Sequence, residues 1–199
     1  MTFVFKKNGE KTLNDLGGSS PMLVFAIGWD CKNKSVLIGK LMGTKRQADL
    51  DLSCAIYDSH GDRIDCVWYA QLSSKDGAIR HRGDDTLGAE VGDDELMIID
   101  MNQLDESAET LFFVISSFSE EGLSNISSGH WRLFDAQTKH EIARYNFTGQ
   151  TGATAKIVMR LSKNTTKGVP DWKIKAFDEA ASGQNIQEVF PEIRALIEG

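Results

Sequence analysis

The chain has 199 residues, of which 41% are hydrophobic and 26% charged, an ordinary globular composition with enough length for a sizeable core. Its formal net charge at pH 7 is −7 and its lysines and arginines form no cluster, so nucleic acid is disfavoured as a partner, because binding a polyanion depends on clustered cations. The sequence lacks an apolar signal-peptide core, and no apolar run approaches the roughly 18 residues of a membrane span, so we expect no transmembrane segment.

Short apolar or alternating runs, separated by Gly, Asn and Asp turns, follow one another along the chain. Their length, their β-branched and aromatic content and their regular spacing predict strands of a sandwich or barrel. The predicted strands cover residues 22–29, 49–58, 63–70, 95–100, 110–118, 130–135, 141–147, 155–162 and 172–179.

Two of these runs also predict how their strands are buried. "LFFVI" is apolar at consecutive positions, so we expect a central strand that is covered on both faces. In "WKIKAF" apolar residues alternate with Lys173 and Lys175, which predicts one buried face and one face in water. The polar stretch at residues 162–171 lies between the strands predicted at 155–162 and 172–179, and it is interpreted as a hairpin or loop.

The last residues have a helical pattern. In "NIQEVFPEIRALIEG" apolar residues recur at spacings of three and four. Pro191 is expected to divide this segment into two pieces, since proline is tolerated at a first helical position but not inside a helix. The sequence as a whole therefore predicts one domain over residues 1–199. Its fold is all-β, a two-sheet β-sandwich over residues 1–180 with a short helical tail over residues 181–199.

An acidic, glycine-rich segment precedes the strand predicted at 95–100. Its carboxylates are Asp84, Asp85, Glu90, Asp93, Asp94 and Glu95, and Gly83, Gly88 and Gly92 lie among them. If these acids spread into solvent they cost little, but if they converge they repel and need a cation. A solvated charged loop is the alternative to a metal site.

Three observations favour convergence. Glycines allow the backbone curvature that turns oxygens toward one point. Asp49 and Asp51, spaced i and i+2 at a predicted strand start, project from the same face of that strand. Asp30 stands where the run "MLVFAIGWD" leaves its strand. Oxygen donors without His or Cys select calcium or magnesium, and the spacing is not that of an EF-hand.

The motifs "GWD", "DLDLS", "GDDTLGAEVGDDELMIID" and "HEIARYNF" resemble, in the same order, those of the TerD family of tellurium-resistance and stress-response proteins. The resemblance spans about residues 1–178. It implies a β-sandwich reminiscent of C2 domains that binds Ca²⁺ through acidic loops and has no established catalytic activity. Carried over by position, the implied metal ligands are Asp30, Asp49, Asp51, Asp84, Asp85, Asp93, Asp94 and Glu95, with a backbone carbonyl from Gly88.

Three positions depart from the family pattern. Asp85 stands where the family usually has Asn, Leu87 where it has Thr, and Glu90 where it has Gly. Asp85 keeps an oxygen and adds charge, whereas Leu87 removes a hydroxyl and Glu90 replaces a residue of special torsions. If one of two calcium sites is lost, we expect the loss in this loop.

The remaining reactive residues carry no predicted function. The three cysteines have no metal-site spacing, so we interpret them as small buried side chains in a reducing compartment. The four histidines are scattered and the four tryptophans lie in predicted strands, which is typical of surface and core residues respectively.

We therefore expect a non-catalytic, cytoplasmic calcium-binding protein that acts as a sensor, scaffold or adaptor. Its expected partners are calcium ions, other stress-response proteins and a membrane-associated complex at the inner face of the membrane. The alternative is a metal-dependent hydrolase that uses the same carboxylates to hold Mg²⁺ or Mn²⁺. Such an enzyme normally adds a cationic or imidazole group, and only His81 and Arg82 are close in sequence.

Overall fold

The structure of the protein is a computed structural model that describes residues 2–18, 20–32, 50–83, 93–118, 122–166 and 168–199. The elements in chain order are β1 (Phe3–Val4), β2 (Glu10–Thr12), β3 (Met22–Cys31), β4 (Leu50–Tyr57), β5 (Arg63–Val67), β6 (Ile79–Gly83), β7 (Glu95–Asp100), β8 (Thr110–Ser117), β9 (Ile126–Asp135), β10 (Glu141–Phe147), β11 (Ala155–Thr166), β12 (Val169–Ala181) and helix α1 (Ile186–Glu198). Short 3-10 turns at Asn14–Leu16 and Gly122–Asn125 connect strands.

The strands form two six-stranded sheets. In sheet A the order is β1-β10-β9-β3-β7-β6, and in sheet B it is β2-β12-β11-β8-β4-β5. The parallel pair β1 and β10 is an exception among otherwise antiparallel pairings of the described strands. The predicted all-β sandwich with a C-terminal helical tail is confirmed.

The main core fills the space between the two sheets because strand alternation turns every second side chain inward. On β3 the inward residues Leu23, Phe25 and Ile27 are fully buried. The ring of Phe25 lies 4.5 Å from that of Phe113 on β8, so the two sheets contact each other through aromatic side chains.

The outer face of sheet B carries a second core beneath α1. Phe112 and Val114 of β8 are fully buried there, against Ile186, Val189 and Ile193 of the helix. The prediction that β8 is central and covered on both faces is confirmed, since β8 lies between β11 and β4 and has the main core on its other side.

The expected break at Pro191 is wrong, because α1 is one helix over Ile186–Glu198. Pro191 lies early in the helix, so its missing N–H removes a single backbone hydrogen bond near the first turn. The helix start is capped: Asn185 Oδ1 accepts a hydrogen bond from the N–H of Gln187 at 2.9 Å, and Glu188 Oε2 accepts one from the N–H of Gln184 at 2.9 Å. These caps, and burial of one helical face, hold the segment as one helix.

The remaining differences from the predicted elements concern polar or short strands. β1, β2 and β6 were not predicted, because two or three residues, or a run as charged as "IRHRG", show no apolar alternation. β11 and β12 extend into the predicted polar hairpin, where Thr166 pairs with Val169.

On β12 the alternation is confirmed, with Ile174 and Ala176 fully buried, but Lys173 and Lys175 contact Glu10 of β2 at 3.4 and 3.6 Å as well as solvent. Across the described ranges, no helix is long and apolar enough to cross a membrane.

Candidate metal centre

The predicted ligands that the structure describes lie where several strands of both sheets begin or end. Asp30 is near the end of β3, and Asp93 and Asp94 directly precede β7, which pairs with β3. Glu95 Oε2 accepts a hydrogen bond from the N–H of Leu52 at 2.6 Å. This bond joins the start of β7 in sheet A to the start of β4 in sheet B, where Asp51 lies.

Four of the predicted ligands, Asp49, Asp84, Asp85 and Gly88, lie outside the described residues. In the ranges that are described, no three or more His, Cys, Asp or Glu side chains form a group that could hold a metal ion. The calcium site therefore stays a prediction. The described contacts show how five of the predicted ligands are positioned, namely Asp30, Asp51, Asp93, Asp94 and Glu95.

Asp94 is a partly buried carboxylate held against β3. Its Oδ2 accepts a hydrogen bond from the N–H of Trp29 at 2.8 Å, and its own N–H donates to the carbonyl of Ile27 at 2.7 Å. Burial raises the pKa of Asp94, and the charges of Asp93 and Asp30 raise it further against the opposing effects of Trp29 and His130. A nearby cation would therefore stabilise the charged form of Asp94.

Asp30 is exposed at the end of the neighbouring strand. Its Oδ2 accepts a hydrogen bond from the Ser128 hydroxyl at 3.1 Å, and its carbonyl accepts one from the Ser127 hydroxyl at 3.0 Å. The two serines of β9 thus fix the backbone and side chain of Asp30 on the side of the sandwich where Asp94 lies.

Asp93 is bound in a different way, by a buried arginine. Arg132 of β9 donates from Nε to Oδ1 at 3.0 Å and from Nη2 to Oδ2 at 2.5 Å, and His130 Nε2 lies 3.2 Å from Oδ1. Burial by itself raises the pKa of Asp93, but the hydrogen bonds and charges of His130 and Arg132 outweigh it and bring the pKa below its ordinary value. Asp93 is therefore a compensated anion.

Arg132 belongs to a longer chain of ion pairs on the outer face of sheet A. Its Nη1 lies 3.4 Å from Glu141 Oε2, and Glu141 accepts two hydrogen bonds from Arg144, at 2.6 and 2.8 Å. Arg144 and Arg132 are direct cross-strand partners, so Asp93 and Glu141 keep two neighbouring guanidinium groups from repelling each other. We call Asp93, Arg132, Glu141 and Arg144 the sheet A ion-pair chain.

Sequence reasoning missed Arg132, Glu141 and Arg144 as residues of this region. The available signal was the motif "HEIARYNF", whose Glu and Arg are three residues apart, together with the arginine in "HWRLFD". Charged side chains in otherwise apolar strands need a partner, and these strands supply it to each other.

Glu95 and Asp51 point in different directions. The side chain of Glu95 faces inward between the sheets, where Leu52 donates to it and buried His81 lies 3.5 Å from Oε2. On β4 the inward positions are Leu50 and Leu52, so Asp51 lies on the outer face of sheet B. Asp51 lies at the start of β4, directly before the Leu52 whose N–H binds Glu95.

The residues to which no function was assigned are mainly structural. Trp131 is fully buried, and Trp29, Trp68 and Trp172 pack against buried clusters. Of the three cysteines predicted to be buried, Cys54 and Cys66 are buried, and burial raises the pKa of both thiols, whereas Cys31 is only half-buried. His60 is exposed in a turn.

Comparison with known proteins places these observations in a family. The sequence pattern of the TerD domain matches residues 1–191. The tellurium resistance protein TerZ of Serratia marcescens is 32% identical over 191 residues, which cover 96% of each chain. The stress response protein SCP2 of Bacillus subtilis (strain 168) is 23% identical over 84% of this chain and 86% of that protein.

The fold also has a counterpart among solved structures. The crystal structure of a homologue of telluride resistance protein (TerD) from Streptomyces coelicolor A3(2) matches with a TM-score of 0.59 at 15% identity. The match covers 87% of this chain and 96% of that one, so the likeness extends over nearly the whole sandwich.

Proposed function

This chain belongs to the TerD family, and we propose that it is a calcium-binding protein of a tellurite-resistance or general stress response, acting as a sensor, scaffold or adaptor. Its relatives are named for tellurium resistance and stress response, and none of the names reported above is that of an enzyme. The proposal assigns the calcium to the end of the sandwich where Asp30 and Asp94 lie.

The observation that carries the proposal is the contrast between Asp94 and Asp93. The charge of Asp93 is compensated by Arg132, whereas the pKa of Asp94 is raised, by burial first and then by the negative charges of Asp93 and Asp30. A hard dication that prefers oxygen ligands would reduce the repulsion among these carboxylates. It would find oxygen donors on Asp30 near the end of β3 and on Asp94 directly before β7. The donor set thus fits calcium better than zinc, which favours His and Cys.

The family resemblance implies further ligands. They are the side chains of Asp49, Asp51, Asp84, Asp85, Asp93 and Glu95 and the carbonyl of Gly88. Asp51 needs a site that reaches the outer face of sheet B, so it is the described residue that fits a shared site with Asp94 least well.

Calcium would act by neutralising and ordering the acidic end. The chain carries a formal net charge of −7, so an anionic protein or membrane surface is repelled until a cation intervenes. Binding would then favour such a partner, for which we propose other stress-response proteins and a membrane-associated complex in the cytoplasm. The free cysteines suit that reducing compartment.

The experiment is a calorimetric titration of the chelator-treated protein with Ca²⁺ and with Mg²⁺. We expect heat with Ca²⁺, weaker heat with Mg²⁺, and a rise in melting temperature, since saturation to 100 times Kd contributes about 2.7 kcal/mol to stability. Asp94→Asn should weaken binding by about 10-fold or more. Its control is Asp15→Asn, an exposed acid in the turn Asn14–Leu16 at the other end of the sandwich, which should leave Kd unchanged.

The proposal fails if millimolar Ca²⁺ produces neither heat nor a shift in melting temperature. It also fails if Asp15→Asn weakens binding as much as Asp94→Asn, since the effect would then be one of overall charge. Turnover of phosphoesters with Mg²⁺ that Asp94→Asn abolishes would instead support a hydrolase.

A further inference from the structure

Three consecutive carboxylates before and at the start of β7 bind three different strands. Asp93 accepts hydrogen bonds from Arg132 of β9, Asp94 accepts one from the N–H of Trp29 in β3, and Glu95 accepts one from the N–H of Leu52 in β4. β9 and β3 belong to sheet A and β4 belongs to sheet B, so this short segment ties both sheets together at one end of the sandwich.

The three acids differ in what already neutralises them. The side chain of Asp93 is 1% exposed and that of Arg132 is 6% exposed, so the two charges depend on each other. Glu95 is 13% exposed and faces the interior. Asp94 differs from both: its described hydrogen bond comes from the backbone N–H of Trp29, and no described Lys, Arg or His forms an ion pair with it.

Binding of a cation would not be equally favourable at each of the three acids. Ca²⁺ sits 2.3–2.6 Å from its oxygen ligands. At Asp93 it would lie beside the guanidinium that already binds both oxygens, and the two cations would repel. If Asp93 turned toward calcium instead, buried Arg132 would lose the carboxylate that binds both its Nε and its Nη2, and Glu141 lies farther away, at 3.4 Å.

We propose that Asp93 and Glu95 are positioning residues that fix the start of β7, and that Asp94 between them is the acid that binds the cation. The family resemblance counts all three as ligands, so this assignment departs from it. The part that concerns calcium rests on the proposed function. The part that concerns anchoring does not, because it predicts the behaviour of the metal-free protein.

The spectroscopic test uses one N–H reporter for each carboxylate in the unsubstituted protein. They are the Nε–H of Arg132 for Asp93, the amide of Trp29 for Asp94 and the amide of Leu52 for Glu95. On titration with Ca²⁺ we expect the ¹⁵N-edited NMR signal of Trp29 to shift, while those of Arg132 and Leu52 keep their positions. Shifts of the Arg132 or Leu52 signal as large as that of Trp29 would overturn the assignment.

The stability test compares substitutions in EDTA. We expect Asp93→Asn to lower the melting temperature by roughly 6–15 °C, because a neutral amide replaces the carboxylate that binds buried Arg132 through two hydrogen bonds. Glu95→Gln should lower it less, since an amide oxygen can still accept from Leu52, and Asp94→Asn should not lower it. If Asp93→Asn is as stable as the unsubstituted protein, the anchoring role is wrong. If it does not fold, Arg132→Lys, which keeps the charge but loses the fork, gives the same comparison.

A matched control separates positioning from general loss of stability. Phe112→Ala, in the core under α1, should also lower the melting temperature but should leave the Kd for Ca²⁺ unchanged. We expect Asp93→Asn to raise Kd by about 10- to 100-fold with unchanged stoichiometry. Equal effects of both substitutions on Kd would contradict a specific positioning role. If the unsubstituted protein binds no Ca²⁺, the proposed function fails, while the EDTA series still decides the anchoring.

Discussion

The two outer faces of the sandwich are stabilised by opposite kinds of contact. On sheet B, helix α1 covers an apolar layer that includes Phe112, whose ring lies 5.9 Å from Tyr57 and 6.3 Å from Phe177. On sheet A, the ion-pair chain runs across β9 and β10, with Arg132 4.9 Å from the ring centre of Phe134. The first face depends mainly on removing water. The second combines a small apolar cluster of Ala26, Leu96 and Phe134 with charges that are kept paired.

Because of this difference, substitutions under α1 and substitutions near the predicted cation site should have different effects. The described contacts under α1 are mainly between apolar side chains such as Phe112, Val189 and Ile193. The charged face ends at Asp93, next to the acid that we propose as the calcium ligand. Changes under α1 should therefore affect unfolding alone, whereas changes in the ion-pair chain should affect unfolding, its pH dependence and calcium binding together.

The largest single effect is expected on the apolar face. Phe112→Ala removes a fully buried ring and leaves a cavity, which should lower the free energy of unfolding by about 3–5 kcal/mol. Urea titration followed by tryptophan fluorescence measures it. Leu72→Ala, at a side chain that is 55% exposed, is the control and should change stability little.

Acidification should act on the charged face. The pKa values of both Asp93 and Glu141 are lowered. At Asp93, hydrogen bonds and charges from His130 and Arg132 outweigh the effect of burial, and at Glu141 those from Arg144 and Arg132 do. A lowered pKa contributes stability that is present above the unfolded value of about 4 and is lost as pH falls through the lower folded value. Melting temperature should thus fall steeply below about pH 4.

One substitution should remove the sensitivity of the charged face to acid. In Asp93→Asn the protein should be less stable at pH 7 and should lose less further stability between pH 5 and pH 3. Phe112→Ala should shift the whole curve downward with the same steepness. If both variants give parallel curves, the ion-pair chain does not control the acid response.

A smaller effect is expected when the ion-pair chain is interrupted at Glu141, between Arg132 and Arg144. Glu141→Gln removes the charge that Arg132 and Arg144 share but keeps an oxygen acceptor, and we expect a loss of about 1–3 kcal/mol. Chemical denaturation measures this loss. Glu179→Gln, which breaks the exposed pair with Lys7, is the control and should cost less than about 1 kcal/mol.

The smallest effect is expected within α1. Pro191→Ala restores a backbone N–H inside a helix that already forms, so it should stabilise the protein by about 1 kcal/mol. Thermal unfolding followed by circular dichroism measures the change. If Pro191→Ala instead lowered stability, the proline ring itself would make contacts that stabilise the protein.

Much of the fold could be predicted because the pattern of each strand is local. The segments 95–100 and 141–147 coincide with β7 and β10, since their apolar residues turn toward the core at regular positions. The short edge strands and β6 could not be predicted, because they are held by hydrogen bonds to a neighbour rather than by their own apolar pattern. The single helix at Pro191 was mispredicted because burial outweighed the local cost of proline.

The sequence by itself determined the family, the class of fold and the set of acidic residues, since these depend on motifs and on periodicity within single segments. Only the tertiary structure decided which donor each acid binds. Arg132 is 39 residues from Asp93, and Leu52 is 43 residues from Glu95, yet each pair is in direct contact. Neighbouring acids of the motif "DDE" look equivalent in sequence, but pairing of the strands gives each a different donor and a different charge balance.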